Sequence, residues 1–394
     1  MLDTDIFTIT VLLIYHQEGE FRIIHIPLSL YKSLLQPIIR IILPQSSDMW
    51  ESEDPHQPGD KHEFLNISIT PSECTVICHK AWATTLFEPV FAALPESLRV
   101  LVDVSSDVYS VFSVSSISME AGSRVLELTS PIALANVPIF FITTYYTDFI
   151  VIPRRDYQTV IDILFAKGFE FSEHFSAFIV PSHREESPRR GRRRSDEPVS
   201  KPSNDFSELK ERTIGELRKQ GVVPFCIPGL QVVQCSVKET GGDYTRPYSM
   251  AETKAHWTDG LNSGLWLTLI SILTTQPRFL SLTMAADHPL TFLLDKQLLG
   301  DFGDMLAGDT SGFLVPMFLD LSGLPLQSTG IVCGVAGTLV DDINEQKKLG
   351  SALDISELSY LSTARAGTVI LSEAGCMRAM EVLLPLLLPA QNVL

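Results

Sequence analysis

The sequence predicts an α+β fold built of four small modules in two similar halves. The central observation is the stretch Val137–Pro153, in which two apolar runs, Ile139–Ile142 and Phe149–Ile152, flank a polar break. Aromatic and β-branched runs on either side of such a break are typical of paired strands. Because both runs are almost wholly apolar, each strand is expected to be covered on both faces. Apolar spacing predicts flanking helices at about Ser123–Asn136 and Arg154–Gly168.

A repeat extends this prediction to the whole chain. The helix–strand–strand–helix pattern returns near the C-terminus, where Val335–Ile343 and Cys376–Leu384 are the predicted helices. The matching segments are Ile142–Thr144 with Leu361–Thr363, Asp148–Ile152 with Gly367–Leu371, and Phe64–Ser68 with Phe279–Thr283. Internal repetition at this scale reflects repeated structural units. Each half therefore carries two kinds of module in the same order.

The remaining segments supply the other elements of the modules. Apolar runs predict strands, and apolar residues at three-and-four spacing predict helices. The further predicted strands are Ile6–Tyr15, Phe64–Ile69, Cys74–Cys78, Arg99–Val104, Ala177–Val180, Leu230–Val237, Phe279–Met284, Leu290–Leu294, Phe313–Leu321 and Leu358–Leu361. The further predicted helices are Leu28–Leu43, Ala81–Leu94, Phe206–Gly221 and Leu265–Leu273. Gly300–Gly312 is predicted as a loop and Asp341–Leu353 as a segment holding a polar insertion.

Residues 182–205 are the predicted linker between the halves. This segment is dense in proline, serine and charge, which is typical of disorder. Its arginines, Arg189–Arg194, are interpreted as part of a solvated linker, with a nuclear-localisation or acidic-partner patch as the alternative. Ser187 and Ser195 are candidates for phosphorylation. The predicted division is 1–104 for module 1, 105–181 for module 2, 182–221 for the linker and a short charged helix, 222–311 for module 3 and 312–394 for module 4.

Composition narrows the classes of partner. Hydrophobic residues make up 45% and charged residues 20% of the chain, as in soluble globular proteins. The formal net charge of -17 argues against nucleic acid or membrane as the main partner, because both favour a basic surface. The apolar run Ile6–Tyr15 is too short to span a bilayer and lacks a cleavage site. The six cysteines form no disulfide framework, so we expect a cytoplasmic protein.

Motifs of catalysis and metal binding are missing from the sequence. Cys74, Cys78 and His79 have no second cysteine–histidine pair at metal spacing, so the two thiols are interpreted as structural core residues. The sequence contains no phosphate-binding glycine loop, dinucleotide fingerprint or serine-hydrolase motif. We therefore expect a protein that is not an enzyme and needs no metal or cofactor.

Two short motifs indicate binding instead. Gly330-Ile331-Val332 lies where a loop turns into a predicted helix, and a helix start offers unpaired N–H groups to a carboxylate such as that of an α-amino acid. A tight turn that needs glycine for its conformation explains the same residue equally well. Asp148 is interpreted either as a turn residue or as a partner for the charge of a ligand or protein.

The sequence resembles the CASTOR family of cytosolic arginine sensors. The resemblance is carried by Thr144–Val151, by Ile69–Val76 and by Gly330-Ile331-Val332 with Ala336-Gly337, and it covers all four modules in order. It implies four ACT domains of βαββαβ type without a kinase domain. It also implies a ligand pocket between modules 2 and 4 and a homodimer formed through modules 1 and 3. The implied partner is a regulator of TOR-complex signalling that arginine releases.

Carried over residue by residue, the resemblance implies a site. The ligand-binding residues would be Pro138, Ile139, Ser328, Thr329, Gly330, Val332, Thr363, Ala364 and Gly367, and the partner-binding residues Tyr145, Tyr146 and Asp148. Two acids of the family are replaced here by Ser328 and Gly367, and a serine by Pro138. An unpaired buried guanidinium would cost about 3 kcal/mol or more, so these departures argue against arginine as the ligand. Arg365 is predicted to occupy the space from inside.

The favoured interpretation is a non-catalytic regulatory protein that binds a small amino acid between modules 2 and 4 and signals to a protein partner. Ligand occupancy would favour one arrangement of the domains, while the partner favours the other. Two alternatives stay open. One is a ligand-independent scaffold whose pocket has been lost, and the other is a regulatory subunit of an amino-acid biosynthetic enzyme.

Overall fold

The computed structural model describes residues 12–43, 64–116, 121–171, 204–238, 263–286, 288–348 and 358–388. Within these ranges the chain forms sixteen strands and twelve α-helices, some extended by short 3₁₀ or π turns. The strands are β1 (Leu12–Pro27), β2 (Phe64–Ile69), β3 (Glu73–His79), β4 (Asp103–Val104), β5 (Tyr109–Ser116), β6 (Phe140–Thr143), β7 (Asp148–Pro153), β8 (Glu170–Phe171), β9 (Pro224–Cys226), β10 (Val232–Val237), β11 (Leu280–Ala285), β12 (His288–Asp295), β13 (Leu306–Ala307), β14 (Val315–Asp320), β15 (Ser359–Ser362) and β16 (Ala366–Leu371). The helices are α1 (Leu28–Tyr31), α2 (Leu35–Ile42), α3 (Lys80–Trp82), α4 (Glu88–Ala93), α5 (Glu96–Arg99), α6 (Ala121–Leu134), α7 (Tyr157–Ala166), α8 (Asn204–Lys219), α9 (Ser263–Thr275), α10 (Leu299–Phe302), α11 (Ile331–Lys348) and α12 (Glu373–Leu387). Of these helices, none combines the length and the apolar character needed to cross a membrane.

The two halves of the chain meet at two equivalent seams in one continuous sheet. Fourteen strands follow the order β13-β10-β12-β11-β2-β3-β1-β5-β7-β6-β15-β16-β14-β9, and β4 and β8 pair with β1. At one seam Ile67 of β2 pairs with Leu282 of β11, and at the other Ile142 of β6 pairs with Leu361 of β15. Both pairs join residues that match in the sequence repeat. The predicted repeat is therefore confirmed as a pseudo-two-fold relation between the halves.

The sheet folds back so that parts of it pack face to face. Phe64 of β2 contacts Phe149 of β7, with ring centroids 4.9 Å apart, and Phe279 contacts Phe318 at 6.0 Å. One apolar cluster fills this middle layer, and two larger clusters lie beneath the helices on the outer sides. The layers are therefore helix, sheet, sheet and helix, and the predicted α+β class is confirmed.

The central stretch of the sequence forms two wholly buried strands, as predicted. Phe140–Thr143 is β6 and Asp148–Pro153 is β7, and every residue of both is buried. In β7, Ile150 and Ile152 belong to the cluster beneath the helices, whereas Phe149 belongs to the middle layer. Burial on both faces explains why the two runs are almost wholly apolar.

The predicted strand Arg99–Val104 is wrong in most of its length. Glu96–Arg99 is the short helix α5, and only Asp103–Val104 pairs with β1. Proline before an acidic first turn is typical of a helix start, and this signal outweighs the apolar run that follows. The predicted strand Ala177–Val180 and most of the predicted linker lie outside the described residues.

Two further predictions in the second half are wrong in part. Gly300–Gly312 is not only a loop, because it holds most of α10 and the strand β13, which pairs with β10. The turn between them begins at Gly303, whose φ of +54° favours glycine. The helix predicted at Val335–Ile343 is longer in the structure, because α11 continues as far as Lys348 into the predicted polar insertion at Asp341–Leu353, of which residues 349–353 lie outside the described residues. Glu345, Gln346, Lys347 and Lys348 at the end of the helix are good helix formers and are exposed or half-buried.

Helix α8 packs closely against α11 because α11 presents glycines to it. A Cβ at Gly334 would lie 2.6 Å from Thr213 Cγ2, and one at Gly337 would lie 3.0 Å from the ring of Phe206. The next element, β9, pairs with β14, so α8 and β9 both lie against module 4. The module boundaries themselves remain a prediction. The close contact with α8 fixes the first turns of α11, where the candidate site lies.

Candidate functional site

A small cavity lies between modules 2 and 4, beside the seam where β6 meets β15. Its walls come from the end of α6 and the start of β6, from the loop and first turn of α11, and from the β15–β16 loop. Its volume is about 40 Å³. A space of that size holds on the order of three water molecules.

The cavity gathers most of the predicted ligand-binding residues. Pro138 is buried directly before β6, Thr329 is half-buried in the turn before α11, and Gly367 is buried in β16, and these three do not line the cavity. The predicted residues that do line it are Ile139, Ser328, Gly330, Val332, Thr363 and Ala364. The fold thus brings distant segments of the sequence together, while the binding role of each residue stays a prediction.

The start of α11 is shaped by Gly330. Its φ of +80° lies in the left-handed region that favours glycine, and its carbonyl accepts the first helical hydrogen bond, from the Gly334 amide at 2.7 Å. A Cβ at this position would also lie 2.9 Å from Thr213 Oγ1. The first amides of α11, at residues 331–333 beside the cavity, have no acceptor within the helix. The turn interpretation and the ligand interpretation of Gly330 are therefore compatible.

Tyr360, and not Arg365, fills the space next to the cavity. A side chain at Gly367 on the neighbouring strand would overlap the phenol oxygen of Tyr360. The guanidinium of Arg365 reaches Asp103, 3.4 Å away and exposed, so the prediction that Arg365 fills this space is wrong. Burial raises the pKa of Tyr360, and its hydroxyl has no hydrogen-bond partner among the described residues. Tyr360 therefore lines the cavity as a neutral phenol, and its hydroxyl is buried beside Gly367.

The β15–β16 loop connects the cavity to module 1 through Glu73. Thr363 Oγ1 and the Arg365 amide both donate to Glu73 Oε1, each at 2.6 Å. The other carboxylate oxygen of Glu73 lies 2.5 Å from His25 Nδ1. Glu73 is fully buried, and a buried carboxylate is stable only with such partners. One wall of the cavity is thus fixed to β3 of module 1.

The predicted partner motif is divided between the surface and the interior. Tyr145 and Tyr146 lie in the β6–β7 loop with exposed fractions of 38% and 51%, and their rings meet edge to face at 4.7 Å. Asp148 is fully buried and forms an ion pair with Arg124 of α6. Burial raises the pKa of Asp148, and Arg124 opposes that rise. The tyrosines are available to a partner, whereas the carboxylate of Asp148 is turned into the protein.

Sequence reasoning missed Tyr360, Glu73 and Arg124. Tyr360 stands one position before a repeat segment, and an aromatic residue diagonally across from a strand glycine is the signal that points to it. Glu73 gives no such signal, because its partner Thr363 lies 290 residues away in the chain. Arg124 lies in α6, and the apolar pattern of that helix does not indicate that Arg124 contacts Asp148.

Comparison with known proteins finds similarity to the ACT domain. Residues 104–165 match the family model of the ACT domain. Aspartate kinase from Synechocystis superimposes with a TM-score of 0.31 at 11% identity, covering 95% of this chain and 56% of that chain. The regulatory subunit of aspartate kinase from Thermus thermophilus gives a TM-score of 0.26 at 11% identity, covering 39% of this chain and 95% of that chain. The antiparallel strands and flanking helices of the chain are consistent with tandem ACT-like modules, and the family match itself covers residues 104–165.

Comparison of sequences finds relatives whose names state a function. The Homo sapiens protein named cytosolic arginine sensor for mTORC1 subunit 1 is 24% identical over 329 residues, which is 82% of this chain and 85% of that protein. The Bos taurus protein of the same name is 23% identical over the same shares. The chain is therefore similar to cytosolic arginine sensors over most of its length, and the ACT match lies within the same chain.

Proposed function

We propose that the chain is a non-catalytic regulatory protein of the cytosol that binds a small amino acid in the cavity between modules 2 and 4. The observation that carries the proposal is that one cavity is lined both by the first turn of α11, whose first amides have no acceptor within the helix, and by Tyr360, whose buried hydroxyl has no hydrogen-bond partner among the described residues. Helix amides favour a carboxylate, and a neutral phenol donates to a carboxylate or accepts from an ammonium group. A buried hydroxyl without a partner costs about 1–3 kcal/mol, which a bound ligand would recover.

The size of the cavity limits the ligand. Pockets for small molecules usually measure about 300 Å³ or more, so the cavity must open, and Tyr360 is the side chain that would turn aside. Neither Ser328 nor Gly367 supplies a carboxylate for a guanidinium. An amino acid with a short, uncharged side chain therefore suits the site better than arginine. In this proposal the contacts come from Ile139, Ser328, Gly330, Val332, Thr363 and Ala364, and Pro138, Thr329 and Gly367 support the walls.

Occupancy would reach the rest of the molecule through the β15–β16 loop. That loop is bonded to Glu73 in module 1, so a ligand that moves Thr363 also disturbs the contact between the halves. The exposed pair Tyr145 and Tyr146 is the proposed docking site for a protein partner. The similarity to arginine sensors for mTORC1 suggests a regulator of TOR signalling as that partner. The assembly we propose is a homodimer of chains with four ACT modules, 1–104, 105–181, 222–311 and 312–394.

A ligand-independent scaffold is the second candidate. It is favoured by the volume of about 40 Å³ and by the position of Tyr360, which fills the space that a ligand would need. In this case the cavity is a remnant, and the exposed tyrosines act without a small-molecule signal. The two candidates differ in one measurable property, the response of the folded protein to amino acids.

Thermal unfolding with each amino acid at millimolar concentration tests the proposal. A ligand at 100 times its Kd stabilises the folded protein by about 2.7 kcal/mol, which gives a clear rise in Tm. We expect such a rise with one or a few small amino acids. In Tyr360→Phe the Tm without ligand should rise, because an unpaired buried hydroxyl is removed, and the response to ligand should fall.

Tyr31→Phe is the matched control. The hydroxyl of Tyr31 is buried and donates to the Leu273 carbonyl at 2.8 Å, far from the cavity. Its loss should lower the Tm without ligand and leave the response to amino acids unchanged. If no amino acid shifts the Tm of the wild-type protein, the sensor proposal is wrong and the scaffold remains. An equal response in Tyr360→Phe would place the ligand elsewhere.

A further inference from the structure

Two thiols from different elements of the second half lie in contact. Cys226 is the last residue of β9, which ends the sheet, and Cys376 lies in the first turns of α12. Their sulfur atoms are 3.1 Å apart, although 150 residues separate them in the sequence. All six cysteines of the chain lie in the described ranges and are free thiols. The contact between Cys226 and Cys376 is made by the fold and is not visible in the sequence.

The two sulfurs have different environments. Cys226 is half-buried, so water and small solutes reach it, whereas Cys376 is buried. The hydrogen bond from Cys376 lowers the pKa of Cys226 and raises that of Cys376. The start of α12 adds the positive end of a helix dipole, which also favours a thiolate.

The other four thiols are less reactive in this structure. Burial raises the pKa of each of them, and all four belong to hydrophobic clusters of the fold. A thiolate is the reactive form of cysteine, so reactivity follows exposure and a lowered pKa. Both conditions are met at Cys226. The four buried thiols are Cys74, Cys78, Cys235 and Cys333.

We propose that Cys226 and Cys376 are an oxidation site that closes into a reversible disulfide within one chain, with a peroxide as the oxidant. The Cys226 thiol gives up its proton, the thiolate attacks a peroxide oxygen and the O–O bond breaks, which leaves a sulfenic acid and a hydroxide that takes up the released proton to form water. Cys376 gives up its proton and attacks the sulfenic sulfur, which forms the S–S bond and releases a second water. Two thiols thus lose two electrons and two protons, and hydrogen peroxide is reduced to two waters. A small thiol reverses the reaction by thiol–disulfide exchange.

The surrounding structure allows the bond to close. A disulfide has an S–S distance of roughly 2 Å, so the two sulfurs must approach by about 1 Å. Strand β9 pairs with β14 over three residue pairs, and Cys226 is at the end of that strand. Such a short terminal strand adjusts more easily than the interior of the sheet.

A disulfide between Cys226 and Cys376 would affect the structure beside the candidate cavity. Helix α8 directly precedes β9, and its Thr213 lies against Gly330 and Gly334 at the start of α11. Linking β9 to α12 therefore restrains the segment that supports this helix start. In a reducing compartment disulfides are usually transient and redox-sensing, which is the behaviour expected of this pair.

The test uses the purified, fully reduced protein. It is treated with a small excess of hydrogen peroxide under native conditions, alkylated, and analysed by intact mass and peptide mapping. We expect the loss of two hydrogen atoms, a peptide that joins Cys226 to Cys376, full reversal by dithiothreitol, and a higher Tm for the oxidised protein. These measurements need no variant, so they do not depend on the folding of a mutant.

Variants assign the roles of the two thiols. In Cys376→Ser a sulfenic acid at Cys226 should persist and react with dimedone, and in Cys226→Ser the native protein should take up little peroxide. Cys333→Ser is the control that should leave the cross-link unchanged. The proposal is overturned if folded wild-type protein accumulates sulfinic acid at Cys226 without the cross-link, or if the disulfide forms between two chains.

Discussion

The β6–β7 loop of module 2 and the β15–β16 loop of module 4 have the same backbone and different surroundings. In both, a threonine amide donates to the carbonyl three residues on, at 2.9 Å, which closes residues 144–147 and 363–366 into matching turns. The next residue is Asp148 in module 2 and Gly367 in module 4. Both positions lie on the face of the sheet that the helices cover. The comparison therefore isolates the effect of one side chain on a shared backbone.

That side chain decides what fills the space beneath the helices. Asp148 needs a cation and is paired with Arg124, so module 2 has a buried ion pair at this position. Gly367 leaves room that Tyr360 takes, and the cavity lies beside it. One duplicated backbone thus supports an ionic contact in one half and a candidate ligand site in the other.

Breaking the ion pair in module 2 should have the largest effect. Arg124→Ala leaves the buried carboxylate of Asp148 without its cation, and loss of one partner of such a pair costs about 3–5 kcal/mol. Arg155→Ala is the matched control, because Arg155 is 53% exposed in its ion pair with Asp107 and such pairs contribute about 1 kcal/mol or less. Urea unfolding of both variants measures the difference. Equal losses would mean that burial does not distinguish the two pairs.

The same variant should also change the pH dependence of stability. Burial raises the pKa of Asp148 above its ordinary value, and without Arg124 nothing from that residue opposes the rise. The folded variant then keeps a proton that the unfolded chain releases above about pH 4. The free energy of unfolding of the variant should therefore fall as pH rises from about 4 towards 7, and it should fall further than that of the wild-type protein. A pH-independent loss would show that Asp148 stays ionised in the folded variant.

Filling the glycine position in module 4 should have an intermediate effect. In Gly367→Ala the new Cβ overlaps the hydroxyl of Tyr360, and overpacking of this kind typically costs about 1–3 kcal/mol. Tyr360→Phe removes that oxygen, so the double variant should recover part of the loss. The free energies of unfolding of the four proteins form a double-mutant cycle. Simple additivity would show that Tyr360 is not what limits this position.

The outline of this architecture could be predicted from the sequence because it rests on patterns within short segments. The apolar runs around Asp148 predict two covered strands, and the repeat predicts which segments occupy equivalent positions in the two halves. That equivalent residues such as Ile142 and Leu361 also pair with each other is seen only in the structure. In the candidate site, the residue that the sequence itself marks is Gly330, because it is a glycine at the start of a helix. The roles of Tyr360 and Glu73 depend on neighbours that are distant in the sequence or lie on another strand. Only the assembled sheet brings these residues together, so a local sequence pattern does not reveal them.

The smallest expected effect on stability comes from the contact between the β6–β7 loop of module 2 and strand β10 of module 3. Tyr146 Oη lies 3.0 Å from Ser236 Oγ, and a neutral hydrogen bond of this kind contributes about 0.5–1.5 kcal/mol. Tyr146→Phe should cost an amount near the lower end, because its side chain is half exposed. Ser236→Ala should cost a similar amount, and the double variant should cost little more than either alone, measured by urea unfolding. Strictly additive losses would show that the two hydroxyls do not interact in solution. The β6–β7 loop with its exposed tyrosines would then be held by its backbone turn alone. The β15–β16 loop differs, because it is also held by Glu73.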